Sequence, residues 1–366
     1  MVEAWRNTLK IEELPLLRQS ERAAFKRCNW AWFQQYVLGL RPIVEQKDAA
    51  DFGSIVHVAL AAYYIPGDIR GPHPADTFDD LAKNKVAAVK TIEYTNDEEV
   101  AKWEDFHELG VGLMEEYVDT YRGDPHWYIL DAERRFDVII PDVRYKPIVS
   151  EKGARGYHPM VRLVGTFDLC LRDLNDNQVK MVDHKTCQAI VTHHLTLDEQ
   201  AGTYLAVGTT ALRHQGLIEP HESIVGMEYN FIRKGKVDKR PRDEDGQCLN
   251  LDGTVSKKQP VPLFGRHFVP RTSKERQRQI VRISEEARVM DDVRTGRMPL
   301  LKTPQRDCYF CMFFDLCELD ESGGDTEYFI STTMKKFDPY EDHREGAINS
   351  KKVGEDGSQT KRSWAG

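Results

Sequence analysis

The 366-residue sequence predicts one elaborated α/β domain, and three observations carry that expectation. Amphipathic helical periodicity fills the chain up to about residue 122. After Asp124-Pro125 the pattern changes to aromatic and β-branched runs with strand character. Cysteines bracket both regions, with Cys28 on one side and Cys308, Cys311 and Cys317 on the other. Length alone allows roughly two domains, but the cysteine spacing favours one.

The elements follow in order. Ser20 to Leu38 reads as a helix, with Phe25, Cys28, Trp32 and Tyr36 at three- and four-residue steps and Ser20 as N-cap. Phe52 to Tyr64 is a second helix that places His57, Ala61 and Tyr64 on one side. Asp76 to Tyr94 and Glu99 to Tyr121 are longer helices. The second carries an apolar stripe of Val100, Trp103, Phe106, Gly110, Met114, Tyr117 and Tyr121. Strands are expected at Trp127 to Ile140, Met160 to Arg172 and Gln178 to Lys185. The turn sequence Leu174-Asn175-Asp176-Asn177 makes the last two a hairpin. Leu197 to Leu212 is helical, Ser223 to Ile232 a strand, residues 234 to 262 an inserted polar loop, and Leu263 to Val269 a short returning strand. Thr272 to Arg294 is a helix with a stripe of Ile280, Ile283, Ala287 and Met290, ended at Gly296.

Bulk properties narrow the function. No apolar run approaches the roughly 20 residues that span a bilayer, and the first residues lack a secretory apolar core. Seven cysteines without a signal sequence point to a reducing, cytoplasmic compartment and to metal ligation rather than disulfides. A net charge of -8 excludes a generally basic nucleic-acid coat, so any DNA contact must be local. Local positive stretches are Arg233 to Lys236, Lys239 to Arg242, and Arg271 to Arg282. Each can equally be a solvated loop or helix face. No phosphate-binding Gly-x-x-x-x-Gly-Lys-Ser/Thr motif occurs.

The chemistry concentrates around Gly165-Thr166-Phe167-Asp168 and Val182-Asp183-His184-Lys185. Alternation along a strand puts Asp168 on one face with Val164 and Thr166, and Asp183 with Lys185, while His184 points away. Paired in a hairpin, both carboxylates converge at one edge beside Lys185. Two carboxylates and a carbonyl suit magnesium or manganese. Gln200 and Tyr204, at i and i+4, share a helix face that can hold a phosphate or order a ligand. Cys308, Cys311 and Cys317 can hold one zinc or three corners of an iron–sulfur cluster. With no further cysteine nearby the fourth ligand must be remote, and Cys28 suits it. Cys170, Cys187 and Cys248 read as structural or incidental.

Gly53 with His57, Gly165 to Asp168, Asp183 to Lys185, and Gln200 to Tyr204 occur in an order that resembles the PD-(D/E)xK nuclease superfamily, in its RecB-like branch. The resemblance implies a restriction-endonuclease-like α/β core, a central mixed sheet flanked by helices, with an N-terminal helical region and a C-terminal iron–sulfur segment. On this reading residues 1–335 are a single nuclease domain, comprising a helical region at about 18–122, a core at about 127–270, and a helix and cysteine segment at about 272–320. Residues 336–366 are a disordered tail. The resemblance implies that His57, Asp168, Asp183 and the His184 carbonyl ligate Mg²⁺ or Mn²⁺. Lys185 would be the catalytic lysine, with Gln200 and Tyr204 in the same centre. Glu133 falls where relatives often carry an acid, but no role is assigned to it.

The cysteine order resembles that of Cas4-like iron–sulfur nucleases, which implies that Cys28, Cys308, Cys311 and Cys317 hold a [4Fe–4S] cluster, with Zn²⁺ as the alternative. The implied activity is that of a stand-alone, metal-dependent DNA exonuclease in recombination, repair or processing. Its partners would be single-stranded or duplex DNA ends and a recombinase or Cas protein. The alternatives are an inactive DNA-binding or assembly module of the same fold, or a zinc-binding structural protein.

Overall fold

The computed structural model describes residues 11–43, 48–91, 97–149 and 155–344. In chain order, a short strand β1 (Leu16–Leu17) precedes helices α1 (Gln19–Arg27) and α2 (Asn29–Trp32), the latter running on into a π-helical turn, Phe33–Val37. Strand β2 (Leu40–Pro42) leads to three longer helices, α3 (Asp48–Tyr63), α4 (Pro74–Lys90) and α5 (Asp97–Tyr121). The β-rich stretch holds β3 (Trp127–Pro141), β4 (Ile148–Val149), β5 (Arg155–Gly156), β6 (Pro159–Asp173) and β7 (Gln178–Cys187). Helix α6 (Glu199–His214), strands β8 (Ile224–Arg233) and β9 (Phe264–Pro270), and helix α7 (Ser273–Arg294) follow. Helices α8 (Phe314–Glu321) and α9 (Thr326–Thr333) and strand β10 (Met334–Lys336) complete the series.

The main sheet is mixed, in the order β1-β6-β7-β8-β9, with β3 also paired to β6. β6 and β7 form the expected antiparallel hairpin, with Leu169 opposite Val182 and Asp173 opposite Gln178. Its turn closes because Asp173 and Asp176 accept from the backbone N–H groups of Asn175 and Gln178, and because Asn177 tolerates a left-handed φ of 56°. β7 runs parallel to β8, which requires a crossover, and α6 supplies it. Asp198 caps α6 by accepting from the N–H of Ala201 at 2.8 Å. The fold is thus the expected α/β arrangement of a central mixed sheet with helices.

Backbone contacts divide the chain into two compact units, each discontinuous in sequence. One holds residues 46–136 and 166–279. Its core joins Phe52, Val56 and Leu60 of α3, Tyr64 just after it and Phe78 of α4 to Leu113, Met114 and Tyr117 of α5. Trp127, Leu169, Leu171, Val182 and Ile232 of the sheet complete it. Each fully buried side chain of this size stabilises by roughly 1.5–3 kcal/mol. Gly110, part of the sequence-predicted stripe, is where α5 meets Phe78. A Cβ there would lie 2.0 Å from the Phe78 ring, so no larger residue fits without repacking.

The other unit holds residues 1–45, 137–165 and 280–366. Trp30, Ala31, Leu40, Phe313, Leu316 and Met334 form one of its cores. β2 and β10 pair antiparallel, Leu40 opposite Lys336. Buried Arg22 of α1 is ion-paired to Glu286 of α7 at 2.7 Å. The α7 stripe is buried at Ile283, Ala287, Met290 and Val293.

Three local expectations are corrected. Ser20 is not the N-cap of the first helix. Arg18 holds that position without a side-chain cap, and the Ser20 hydroxyl instead accepts from Tyr36. The helix expected to run unbroken to Leu38 is interrupted at Cys28, whose φ of -162° and ψ of 115° are extended. Residues 336–344, read as the start of a tail, include the end of β10 and a 3-10 turn at Glu341–His343. The tail from 345 onward lies outside the described residues.

Candidate active site

All the residues expected to form the catalytic centre fall in the same unit. Asp168 lies on β6 one step beyond Leu169, and hence across the hairpin from Asp183 on β7. The N–H of His184 donates to Asp168 Oδ2 at 2.8 Å, fixing that carboxylate. His57 of α3 brings Nδ1 to 3.4 Å from Asp168 Oδ2 and 3.9 Å from Glu133 Oε1. Among the described residues, His57, Glu133 and Asp168 form the group whose ligand atoms all lie within 4.8 Å of one another.

Glu133 joins through a local backbone device. Its φ is 49°, a left-handed value inside a strand, which costs a non-glycine residue roughly 1–2 kcal/mol. On either side the alternation inverts. Trp127 and Ile129 are buried before it, Phe136 and Ile140 after it. An extra residue at 133 re-aims the strand, as a β-bulge does. Sequence alternation alone could not assign Glu133 because the bulge breaks that alternation.

Asp183 and Lys185 share a face as expected. Lys185 Nζ lies 2.8 Å from Asp183 Oδ2. Gln200, at the start of α6, joins them. Its Oε1 accepts from Lys185 at 2.8 Å and its Nε2 donates to Asp183 Oδ1 at 2.9 Å. The Tyr204 hydroxyl hydrogen-bonds Gln200, and its ring packs edge-on against Phe136 and Phe167. Gln200 and Tyr204 therefore order Asp183 and Lys185 from one helix face.

The electrostatics are those of a site short of positive charge. Burial, with the neighbouring Asp168 adding to it, holds the Asp183 carboxyl well above the usual carboxylate range against the pull of Lys185. Despite the ion pair, Asp183 Oδ2 makes no hydrogen bond of acceptable geometry and is buried. Burial pulls the Lys185 ammonium down, but the Asp183 carboxylate outweighs it and the net shift is upward. Convergent oxygen donors, one imidazole and a buried carboxylate oxygen lacking a donor fit a divalent cation with a taste for oxygen.

His184 points away from this face, as alternation requires, into a buried polar network. Asn230 of β8 donates to His184 Nδ1 and to the Tyr117 hydroxyl, both at 2.9 Å. Asp124 accepts from Tyr64 at 2.6 Å and is clamped by both guanidinium nitrogens of Arg266 at 2.5 and 2.8 Å. Arg266 lies between the rings of Tyr121 and Trp127, 3.6 and 4.0 Å from their centroids. Burial, with the positive field of His57 and Arg266, keeps His184 well below the usual imidazole range, so it is neutral. This scaffold sets the peptide whose N–H holds Asp168. Sequence patterning missed it because its members are spread over the ends of α3 and α5 and over β3, β7, β8 and β9.

The four expected cluster cysteines fall together in the other unit. Cys28, Cys311 and Cys317 pack on the core of Trp30, Phe313 and Leu316. Burial pushes the Cys317 thiol up; Lys302 pulls it back, and Cys28 and Cys311 add to the rise. Gln305 ties Cys308 in. Its N–H donates to Cys308 Sγ at 3.3 Å, and its side chain donates to the carbonyl of Arg27, next to Cys28, at 3.1 Å. The break of α1 at Cys28 frees that residue from the helix. Cys170 and Cys248 are buried, and burial raises the Cys170 thiol well above its ordinary range, consistent with packing.

Two arginines of the basic loop at residues 233–242 are engaged internally. Arg233 donates to the carbonyls of Val261 and Pro262, and Arg240 is paired with Asp238 at 2.6 Å. No helix among the described residues is long and apolar enough to cross a membrane.

No curated protein matches the chain. A crystal structure of a candidate exonuclease from Eubacterium rectale is similar at a TM-score of 0.41 and 12% identity, covering 83% of this chain and 90% of that one. Residues 18–318 match the family model of the PD-(D/E)XK nuclease superfamily, a span that contains His57, Glu133, Asp168, Asp183, Lys185, Gln200 and all four clustered cysteines. With the mixed sheet and the Asp183–Lys185 pair in place on β7, the chain belongs to that superfamily of hydrolytic nucleases.

Proposed function

We propose that the chain is a Mg²⁺- or Mn²⁺-dependent deoxyribonuclease that degrades DNA from its ends. The observation that best supports this is the Lys185–Gln200–Asp183 network set on the same hairpin as Asp168, whose carboxylate meets His57 and Glu133. His57, Glu133, Asp168 and Asp183, with the His184 carbonyl, would hold the cation. When bound, it would lower the pKa of a coordinated water and stabilise phosphoryl charge. The chain's own groups supply the rest. Lys185 presents an ammonium, oriented by Gln200, to charge that develops on the phosphoryl oxygens. The His184 N–H keeps Asp168 in place, and Tyr204 keeps Gln200 in place. The reading of end-directed cleavage rests on the RecB-like order of the motifs.

At the cysteine site we favour a [4Fe–4S] cluster, which would close the chain from Cys28 to Cys317 and make residues 1–335 one clasped domain. What supports a shared site is that Cys28, Cys311 and Cys317 pack on one core and that Gln305 links Cys308 to the residue before Cys28; Zn²⁺ is the alternative occupant.

Digestion of DNA tests the catalytic reading. End-labelled linear DNA should be degraded with either metal, and covalently closed circles spared. Asp183→Ala and Lys185→Ala should each lower the rate by about 10²–10³-fold while Tm stays within a few degrees. Parent-like digestion by both variants would refute the active-site assignment.

A further inference from the structure

An open groove of about 500 Å³ lies on the side of α6 away from Gln200 and Tyr204, lined by Leu205, Thr209 and Arg213 of that helix. Its opposite wall carries Arg271, two residues before α7, and Arg276 in the first turn of α7. Three guanidinium groups line it, and none of its lining residues is acidic. Among the described residues none of the three makes an ion pair. Their hydrogen-bond partners are main-chain carbonyls. Arg213 donates to Glu222, Arg271 to Leu195, Asp198 and Pro270, and Arg276 to Arg271, Ile224 and Val225. Carbonyls fix the guanidinium planes without cancelling their charge. Arg276 is partly buried, and burial pulls its guanidinium down with no compensating carboxylate. At the rim, the Glu275 carboxylate feels Arg271 but is engaged in the α7 cap, accepting from the N–H and hydroxyl of Thr272. Arg271 and Arg276 are partly buried and Arg213 is exposed, and three cations lining one groove without a counter-charge attract an anion to it.

We propose that this groove is a second phosphate site, separate from the catalytic centre, in which Arg213, Arg271 and Arg276 hold a phosphate group. Guanidinium groups are the side chains best matched to phosphate, since each offers a planar fork of donors. The groove starts beside the catalytic elements. Arg271 grips the carbonyls of Leu195 and Asp198, two residues before Gln200, so a strand leaving the centre around the start of α6 meets Arg271 first. The phosphate is therefore one from the nucleic-acid backbone, and that source rests on the reading of the chain as a nuclease. In the loop at residues 233–242, by comparison, Arg240 is already neutralised by Asp238, although Arg233 there also meets only carbonyls.

The test uses full-length protein without divalent metal and a fluorescent single-stranded oligonucleotide, with affinity measured by anisotropy across a salt series. Arg213→Ala combined with Arg271→Ala should weaken binding at least fivefold. It should also flatten the slope of log K against log salt by about 0.7, the contribution of one phosphate contact on a single strand. Lys83→Ala, which removes a charge paired with Asp79, should do neither. Inorganic phosphate forms the second arm. If it raises the Tm of the parent but not of the double variant, while oligonucleotide binding is unchanged, the site stands and its ligand is free phosphate. If neither arm distinguishes the double variant from the parent, the proposal is wrong. A parent that binds no oligonucleotide would instead undercut the nuclease reading, and the phosphate arm would still judge the groove.

Discussion

Gln200 shows how much one side chain decides. Lys185 can only donate, so the Gln200 amide must present its oxygen to Lys185 and its nitrogen to Asp183. Such an orienting residue acts through the groups it holds and differs from a substrate contact in its kinetics. Gln200→Ala is expected to lower kcat by about 10–100-fold, the usual cost of removing a group that orients a metal site, with KM for DNA changed less than threefold. A rise in KM at constant kcat would show instead that Gln200 binds the DNA phosphate. From the sequence, Gln200 and Tyr204 were two polar residues on one helix face. That they serve Asp183 and Lys185 is a matter of where α6 lands on the sheet.

At the scale of elements, the β6–β7 hairpin and α6 place the site, and the bulge in β3 completes it. The hairpin was legible because its turn residues and alternation agree with one another. The bulge at Glu133 was not, since an αL residue inside a strand leaves no composition signal and reverses the pattern that follows it. The link between β6 and the segment before β8 is electrostatic and carries a pH signature. Arg172 holds Glu222 down to about 2 from 4.5. A carboxylate depressed in the folded state binds fewer protons there than in the unfolded chain. The stabilisation is thus complete above pH 4.5 and drains away as pH falls toward 2. For a pair at the surface its size is roughly 1 kcal/mol or less. Glu222→Gln should destabilise the protein at pH 7 by that amount and leave it indistinguishable from the parent near pH 2. Denaturant titrations at the two pH values check this, and an equal loss at both would contradict it.

For the whole molecule, the chain weaves two units from five segments, with the candidate catalytic side chains in one and the four candidate cluster cysteines in the other. Both cysteine sources belong to the same unit although 280 residues separate Cys28 from Cys308, which makes the proposed cluster a tie between distant parts of the sequence. Because metal-binding free energy is folding free energy when the site forms only in the native state, Cys28→Ser should yield colourless, poorly soluble protein. Iron content and absorbance of anaerobically purified protein would show it. Full iron content at parental stability would remove Cys28 from the ligand set.

The sequence by itself determined the helix-then-sheet order, the hairpin and the pairing of Asp183 with Lys185. Periodicity, turn chemistry and motif order are local properties that a linear chain can display. Only the tertiary structure decided that Glu133 joins His57 and Asp168, that α1 breaks at Cys28, and that Arg266 and Asp124 reach His184 through Asn230. It also decided that three arginines, from α6, α7 and the link before α7, line one groove. Each of these depends on which faces meet across elements distant in sequence. That is settled by packing and by the requirement that buried polar groups find partners.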